Sequence, residues 1–350
     1  MKNTTNRLMH DFKSNRKTYL ELEKIALKKI NYIIDKHDFF VMDVTHRTKE
    51  PESLLGKLQR KNKYDKLTDI TDLCGFRIIC YFSDTVDEVA KALEEVFVFD
   101  RGNSVDKRAS LQATQFGYLS LHCICKLKEE EGIGGEYLGI PFEIQIRTVL
   151  QHAWAEIEHD LGYKSDFGVP RPIRRKFSSV ASLLEIADRQ FIELRVDSEK
   201  YTDMIKLRIA EDDCEDIALD GASLKEFLLN GSRTREYFDK LKKELNLEIS
   251  VVDSTNSVKQ LHWFGIDTLG KLIKFVDDNF DGVFEMLKQI VEEYEVDIMS
   301  SGLFISDLCE VELIKKNYSD EDIKKFLEIA LSNNKEKFER NFKKIIARRL

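Results

Sequence analysis

Apolar positions along the first forty residues recur at the helical period. In KTYLELEKIALKKINYIID, between Asn15 and Asp38, Leu20, Ile25, Ile30 and Ile33 fall at roughly helical intervals among lysines and glutamates, which predicts an amphipathic helix. The pattern then changes to short apolar runs, FFVMDV (39–44), CGFRIICYF (74–82), GYLSLHCICKL (117–127) and PFEIQIR (141–147), each predicting a strand. Residues 52–63 and 85–97 between them read as helices, the second opened by Ser83, Asp84 or Thr85 as N-cap. Strands interleaved with helices predict an α+β fold, a mixed sheet flanked by helices around a layered core. A helix from Thr148 to about Leu161 follows, then the loop SDFGVPRP and a longer helix over 173–196, with Phe177, Val180, Leu184, Ala187, Phe191 and Leu194 at three- and four-residue steps. Beyond residue 200 the pattern is nearly all helical, at 223–230, 232–245, 267–276, 280–295, 319–331 and 334–348, with one short apolar segment at 251–253. The expected division is therefore 1–199 as a mixed domain and 200–350 as an all-α domain.

Composition agrees with this division. At 350 residues, 42% hydrophobic, the chain can bury substantial cores, and two domains is the natural expectation. Its net charge of −8 is unevenly spread: residues 1–190 hold 30 Lys+Arg against 29 Asp+Glu, and the remainder 25 against 34. A polyanionic ligand would be met by the first part. No run of 18 apolar residues occurs, and MKNTTNRLMHDFK lacks the apolar core of a signal peptide, so a soluble cytoplasmic protein without a membrane partner is expected. The six cysteines form no CxxC pair and no His/Cys metal spacing.

Polar residues interrupt the strand pattern in a regular way. In EIQIR, Glu143, Gln145 and Arg147 share one strand face while Ile144 and Ile146 share the other. GYLSLHCI repeats the geometry with Tyr118, Ser120 and His122. An aromatic ring beside hydroxyl and imidazole groups suits a base-stacking surface, where stacking is worth roughly 1–3 kcal/mol. A solvated face on an antiparallel strand gives the same alternation. In TDLCGFRII, Asp72 and Arg77 have opposite parity, and a bulge at Gly75 would bring them together. In THRTKEPESLLGKLQRK, Arg47, Lys49, Lys57, Arg60 and Lys61 cluster around a helix start at Pro51 to Ser53, a phosphate-binding candidate or an ordinary basic surface. There is no Walker loop and no GxGxxG. On the helix after residue 148, His152, Glu156, His159 and Tyr163 line one face, with Leu150, Ala153, Trp154, Ile157 and Leu161 expected toward the core. A spacing of seven between His152 and His159 is too long for one zinc ion without a closer partner. The His-Asp dipeptides at His10, His37 and His159 have no matching ligand set around them.

In order and spacing, RTKEPESLLGKL, DLCGFRI, GYLSLH and EIQIRTVLQHAWAEIEHDLGYK resemble the synthetase domain of the RelA/SpoT family of alarmone synthetases, over roughly residues 35–195. The resemblance implies a mixed five-stranded, nucleotidyltransferase-like sheet and transfer of the β,γ-pyrophosphate of ATP to the 3′-hydroxyl of GDP or GTP, releasing AMP and making (p)ppGpp. By the same likeness Asp72 is the magnesium-binding aspartate and Glu143 the second carboxylate, which assists the metal or accepts the 3′-hydroxyl proton. Arg47 and Arg77 hold the ATP adenine and phosphates, with Lys49, Ser53 and Lys57 around them. Tyr118 stacks on guanine, and Ser120, His122, Gln145, Arg147 and His152 line the acceptor site. His159 and Lys164 match the HxxxYK ending of the helix motif. Two positions depart from relatives: Leu119 stands where Arg or Gln is frequent, and His152 where small synthetases often have Asn. Only about 35 residues precede the domain, leaving no room for the family's hydrolase domain, so synthesis without degradation is expected.

Two other functions fit the same residues. One is a toxic relative that makes adenosine alarmones or pyrophosphorylates the 3′ end of tRNA, with Lys107, Arg108, Arg171, Arg174, Arg175 and Lys176 as a candidate basic surface. The other is a catalytically inactive nucleotide-sensing scaffold, against which the retention of Asp72 and Glu143 argues. Residues 200–350 match no motif; a regulatory or antitoxin-like element that occludes the site, a partner sensor, a homo-oligomerisation surface and simple stabilising packing are the roles open to them.

Overall fold

The computed structural model describes residues 2–61, 63–106, 120–163, 170–252, 255–331 and 335–349. Two compact units make up the chain, Met1–Arg195 and Val196–Leu350.

In the first unit, helices α1 (Lys2–Ser14) and α2 (Arg16–Lys36) precede strand β1 (Val41–Thr48). Helix α3 (Pro51–Arg60) leads to β2 (Cys74–Cys80) and α4 (Ser83–Leu93). Strands β3 (Phe97–Phe99), β4 (Val105–Asp106), β5 (Leu121–Leu127) and β6 (Phe142–Thr148) follow, then α5 (Val149–Tyr163) and the start of α6 (Arg171–Ala210). The sheet order is β1-β2-β6-β5-β3, with β4 also on β5, one strand more than the family likeness implies. Only β2 and β6 run parallel; β1/β2, β6/β5, β5/β3 and β5/β4 are antiparallel.

One face of this sheet is dry. Phe76, Ile78, Phe142, Ile144 and Ile146 alternate along β2 and β6 into a core completed by α2 and α4. Helix α2 presents Tyr19, Leu22, Ala26, Ile30 and Ile33, so the buried stripe is offset from the expected one and Leu20 is exposed. Buried Glu23 interrupts the stripe for a reason: its carboxylate takes His46 Nδ1 at 2.5 Å and the Thr48 hydroxyl, pinning β1 to α2.

The second unit is predominantly helical around its own core: α7 (Gly221–Asn230), α8 (Ser232–Leu245), α9 (Thr255–Trp263), α10 (Leu269–Tyr294), α11 (Ser301–Lys315), α12 (Asp320–Leu331) and α13 (Lys335–Arg349). Two three-residue strands, β7 (Glu248–Ser250) and β8 (Ile298–Ser300), pair in parallel within it. Helix α10 is continuous where two helices were expected. Asp277, Asp278 and Asn279 look like a break, but Asn279 turns its amide back to the Phe275 carbonyl at 2.9 Å, and the buried stripe runs on through Phe280, Val283 and Leu287. At Gly270 a Cβ would come within 2.7 Å of the Glu215 carbonyl, so the first turn of α10 can approach that backbone only with glycine there. Among the described residues no helix is long and apolar enough to cross a membrane.

Candidate active site

Strand register assembles the polar face of the sheet row by row. Arg47, Gly75 and Glu143 stand side by side on β1, β2 and β6. The next row is Thr45, Arg77, Gln145 and His122, and the third Asp43, Ile79 and Arg147. A cleft of about 220 Å³ opens over the first two rows, and its lining includes Arg47, Asp72, Arg77, Glu143 and Gln145. The middle of the first row has no side chain, and nothing lies within 4 Å of where a Cβ on Gly75 would be.

Asp72 reaches this cleft by a route other than the expected bulge. The β1/β2 register is regular at Gly75 and shifts instead between Val41 and Asp43. Asp72 lies in the turn ahead of β2, so strand parity does not constrain it, and it lines the same cleft as Arg77 without any kink at Gly75. Lys57 Nζ lies 2.7 Å from its Oδ1 and Lys49 Nζ 3.0 Å from its Oδ2. Burial pushes the Asp72 carboxyl up, but the two ammonium groups outweigh it and hold the group below its usual value.

Glu143 is held by its neighbours on the sheet. Its Oε1 is 2.7 Å from His122 Nδ1, and its Oε2 accepts from Gln145 Nε2 at 2.9 Å. The chain of contacts continues on both sides, from His122 Nε2 to the Ser120 hydroxyl at 2.9 Å and from Arg147 Nη2 to Gln145 Oε1 at 2.8 Å. Burial raises the Glu143 carboxyl, contact with His122 and Gln145 lowers it further than that, and the charge of Asp72 opposes the lowering. The two carboxylates therefore sense each other electrostatically within one cleft.

Helix α5 stands over the third row. Its Glu156 accepts from Arg77 Nη1 at 3.0 Å and lies 3.7 Å from His152 Nδ1. Burial and the Arg77 guanidinium bring Arg147 down to about 10, and burial with Arg147 and Arg77 holds His152 below its usual value. The apolar face expected of α5 is only partly buried: Trp154 is buried and Leu150 packs beside it, but Ala153, Ile157 and Leu161 are exposed. Gln151 takes their place in the interior, where its Oε1 accepts from Thr148 N at 2.9 Å.

Other expected site residues are scattered. Ser53 is exposed in the first turn of α3 and His159 on α5, and among the described residues the cleft lining includes neither. Of the basic cluster, Arg47 faces the cleft and Lys49 and Lys57 reach Asp72, while Arg60 Nε turns back to the Gly56 carbonyl at 3.2 Å. Tyr118, Leu119, Lys164, Lys107 and Arg108 lie outside the described residues. Sequence reasoning gave Glu156 no separate role, because its partner Arg77 is 79 positions away. Glu23 went unremarked for a similar reason: a lone glutamate on a Lys/Glu-rich helix carries no signal of burial.

Two carboxylates in one cleft suit a hard cation that takes oxygen ligands and keeps waters, as Mg²⁺ does. No group of three or more His, Cys, Asp or Glu side chains able to hold a metal occurs among the described residues, so remaining ligands would have to come from substrate or solvent.

A family profile described as "Region found in RelA / SpoT proteins" matches residues 46–167. The first unit carries a RelA/SpoT-family synthetase domain. Among relatives of this domain, GTP pyrophosphokinase YjbM of Bacillus subtilis (strain 168) is 28% identical over 176 residues, which is 49% of this chain and 81% of that protein. GTP pyrophosphokinase YwaC of the same organism is 29% identical over 154 residues, 43% of this chain and 71% of its own. The crystal structure of small alarmone synthetase 1 from Bacillus subtilis bound to its product pppGpp aligns at 26% identity over 56% of this chain and 99% of that one, with a TM-score of 0.44. The matched span contains Arg47, Asp72, Arg77 and Glu143, and with them all of the described cleft lining except Thr45.

Proposed function

We propose that this domain is a magnesium-dependent, cytoplasmic GTP or GDP pyrophosphokinase, which moves the β,γ-pyrophosphoryl group of ATP to the 3′-hydroxyl of a guanosine nucleotide and releases AMP. The observation that carries the reading is the convergence of Asp72 and Glu143 with Arg47 and Arg77 in one cleft. The family match and the pyrophosphokinase relatives support it.

In this reaction the acceptor 3′ oxygen bonds to the β-phosphorus and the bond from that phosphorus to the α,β-bridging oxygen breaks. The electron pair leaves with AMP, and the hydroxyl proton passes to Glu143. Contacts from His122 and Gln145 keep the Glu143 carboxylate oriented and free of a proton before transfer. The Arg77 guanidinium, held by Glu156, and that of Arg47 meet the donor phosphates, assisted by Lys49, Lys57 and Ser53. Ser120, His122, Gln145, Arg147 and His152 form the acceptor side, with His159 and Lys164 toward its phosphates and Tyr118 as the stacking ring for guanine. Asp72 and Glu143 would hold Mg²⁺, which when bound neutralises charge on the transferring phosphates.

For Val196–Leu350 we infer a regulatory or oligomerisation role, supported by its possession of a separate hydrophobic core. Comparing activity and assembly of the full chain with those of a chain ending after Arg195 tests that role.

Incubation with γ-labelled ATP and GDP, GTP or deacylated tRNA tests the chemistry. Release of AMP with label appearing on the 3′ position of the guanosine nucleotide is the expected result. Label on tRNA or on an adenosine nucleotide instead would transfer the reading to the toxic relatives, and no AMP with any acceptor would leave a nucleotide-binding scaffold.

A further inference from the structure

Both oxygens of Asp72 are already engaged by cations. Lys57 Nζ approaches Oδ1 at 2.7 Å and Lys49 Nζ approaches Oδ2 at 3.0 Å. These are not fluctuating surface pairs: the Lys49 and Lys57 side chains are 13% and 18% exposed and that of Asp72 is 26% exposed. The two lysines arrive from separate places, Lys57 from α3 and Lys49 from the link between β1 and α3. The Lys49 amide also donates to the Leu73 carbonyl at 2.7 Å, which ties its backbone to the turn that carries Asp72.

The wider field in the cleft has the same sign. Arg47 and Arg77 line it together with only one further carboxylate, Glu143, whose two oxygens already contact His122 and Gln145. Lys49, Lys57, Arg47 and Arg77 thus face Asp72 and Glu143, with Arg77 also paired to Glu156 of α5. A bare divalent cation would have to displace an ammonium group and enter a cationic cleft, and both steps oppose binding. A nucleoside triphosphate reverses both, because its oxygens give the ammonium groups new anionic partners while its charge inverts the local field.

The geometry points to Lys49 and Lys57 as an exchange pair: they neutralise Asp72 in the ligand-free protein and release it to a divalent cation only when a nucleoside triphosphate arrives to take the two ammonium groups. This rests on the reading of the cleft as a donor-nucleotide site. It makes the cation enter with the nucleotide, never before it. The two lysines then act twice, first as stand-ins for the metal and afterwards as phosphate ligands.

Direct titration of the full chain with Mn²⁺, followed through the electron paramagnetic resonance signal of the free ion, tests the exchange without any turnover. Wild-type protein is expected to lower free Mn²⁺ only when an ATP analogue with a non-hydrolysable α,β-linkage is present, and then below the level that the analogue alone leaves. Lys57→Met, and Lys49→Met combined with it, should bind Mn²⁺ without nucleotide at least about tenfold more tightly than wild type. Adding Asp72→Asn should remove that gain. Wild-type protein that takes up Mn²⁺ equally well with and without the analogue would overturn the inference. So would folded lysine variants with no gain, or a gain that survives Asp72→Asn. Thermal melts establish that the variants are folded, and the wild-type comparison decides even where one is not. No acceptor is used, so a chain that shows the exchange yet never modifies a guanosine nucleotide would sink the pyrophosphokinase reading alone.

Discussion

Arg77 Nη1 donates to Glu156 Oε1 at 3.0 Å, joining the middle of β2 to α5 across the polar face of the sheet. The contact balances a local excess of positive charge, because Arg77 and Arg147 stand close enough for one to depress the other. Glu156 is more than half exposed, so the pair contributes only about 0–1 kcal/mol to stability. Its value is in holding the Arg77 guanidinium still. Glu156→Gln should therefore leave the melting temperature nearly unchanged and raise KM for ATP by roughly two- to fivefold, the equivalent of up to about 1 kcal/mol. Steady-state kinetics with ATP varied at saturating acceptor measures it.

Glu143→Gln keeps the size of the side chain and removes the proposed proton acceptor. A fall in kcat of about 10²–10⁴ is expected, with KM for ATP changed far less. Single-turnover AMP release, with circular dichroism as the check on folding, separates lost chemistry from lost structure.

Acid stability follows from the same carboxylates. Asp72 and Glu143 both titrate below their ordinary values of 3.8 and 4.5 in the folded protein. The stabilisation they contribute is thus fully present above those ordinary values and is lost as pH falls through the lower folded ones. Chemical denaturation in a metal chelator should show stability holding down to about pH 5 and declining below it. Asp72→Asn should flatten that decline.

A buried contact fixes α6 to the end of β6. The Thr148 hydroxyl donates to Asp188 Oδ2 at 2.8 Å, with both residues buried. Thr148→Val removes the donor and leaves the carboxylate oxygen without that partner, which should cost about 1–3 kcal/mol in urea unfolding.

The period-two alternation of Glu143, Gln145 and Arg147 was legible because a strand imposes it directly, and the register across β1, β2 and β6 turned that alternation into a wall. Asp72 was placed by family likeness, whereas parity misled about how it reaches Arg77 because the residue precedes the strand. Helix α11 escaped notice because SGLFISDLCEVELIK is apolar on several sides and buries Phe304, Ile305, Leu308, Cys309 and Leu313, leaving no single stripe to detect. Strands β3, β4, β7 and β8 are two or three residues long, too short for any period to emerge. Exposure of Ile157 and Leu161 was equally hidden, since periodicity identifies which residues share a helix face but not whether anything packs against it.

The bare backbone at position 75 separates two kinds of selection. A methyl group there would meet no protein atom within 4 Å, so folding has little quarrel with it. It would instead intrude between Arg47 and Glu143, on the ground where the proposed donor and acceptor would meet. Replacements at this site should therefore yield well-behaved proteins that cannot work, which makes residue 75 a place to silence the cleft while every charge around it stays intact.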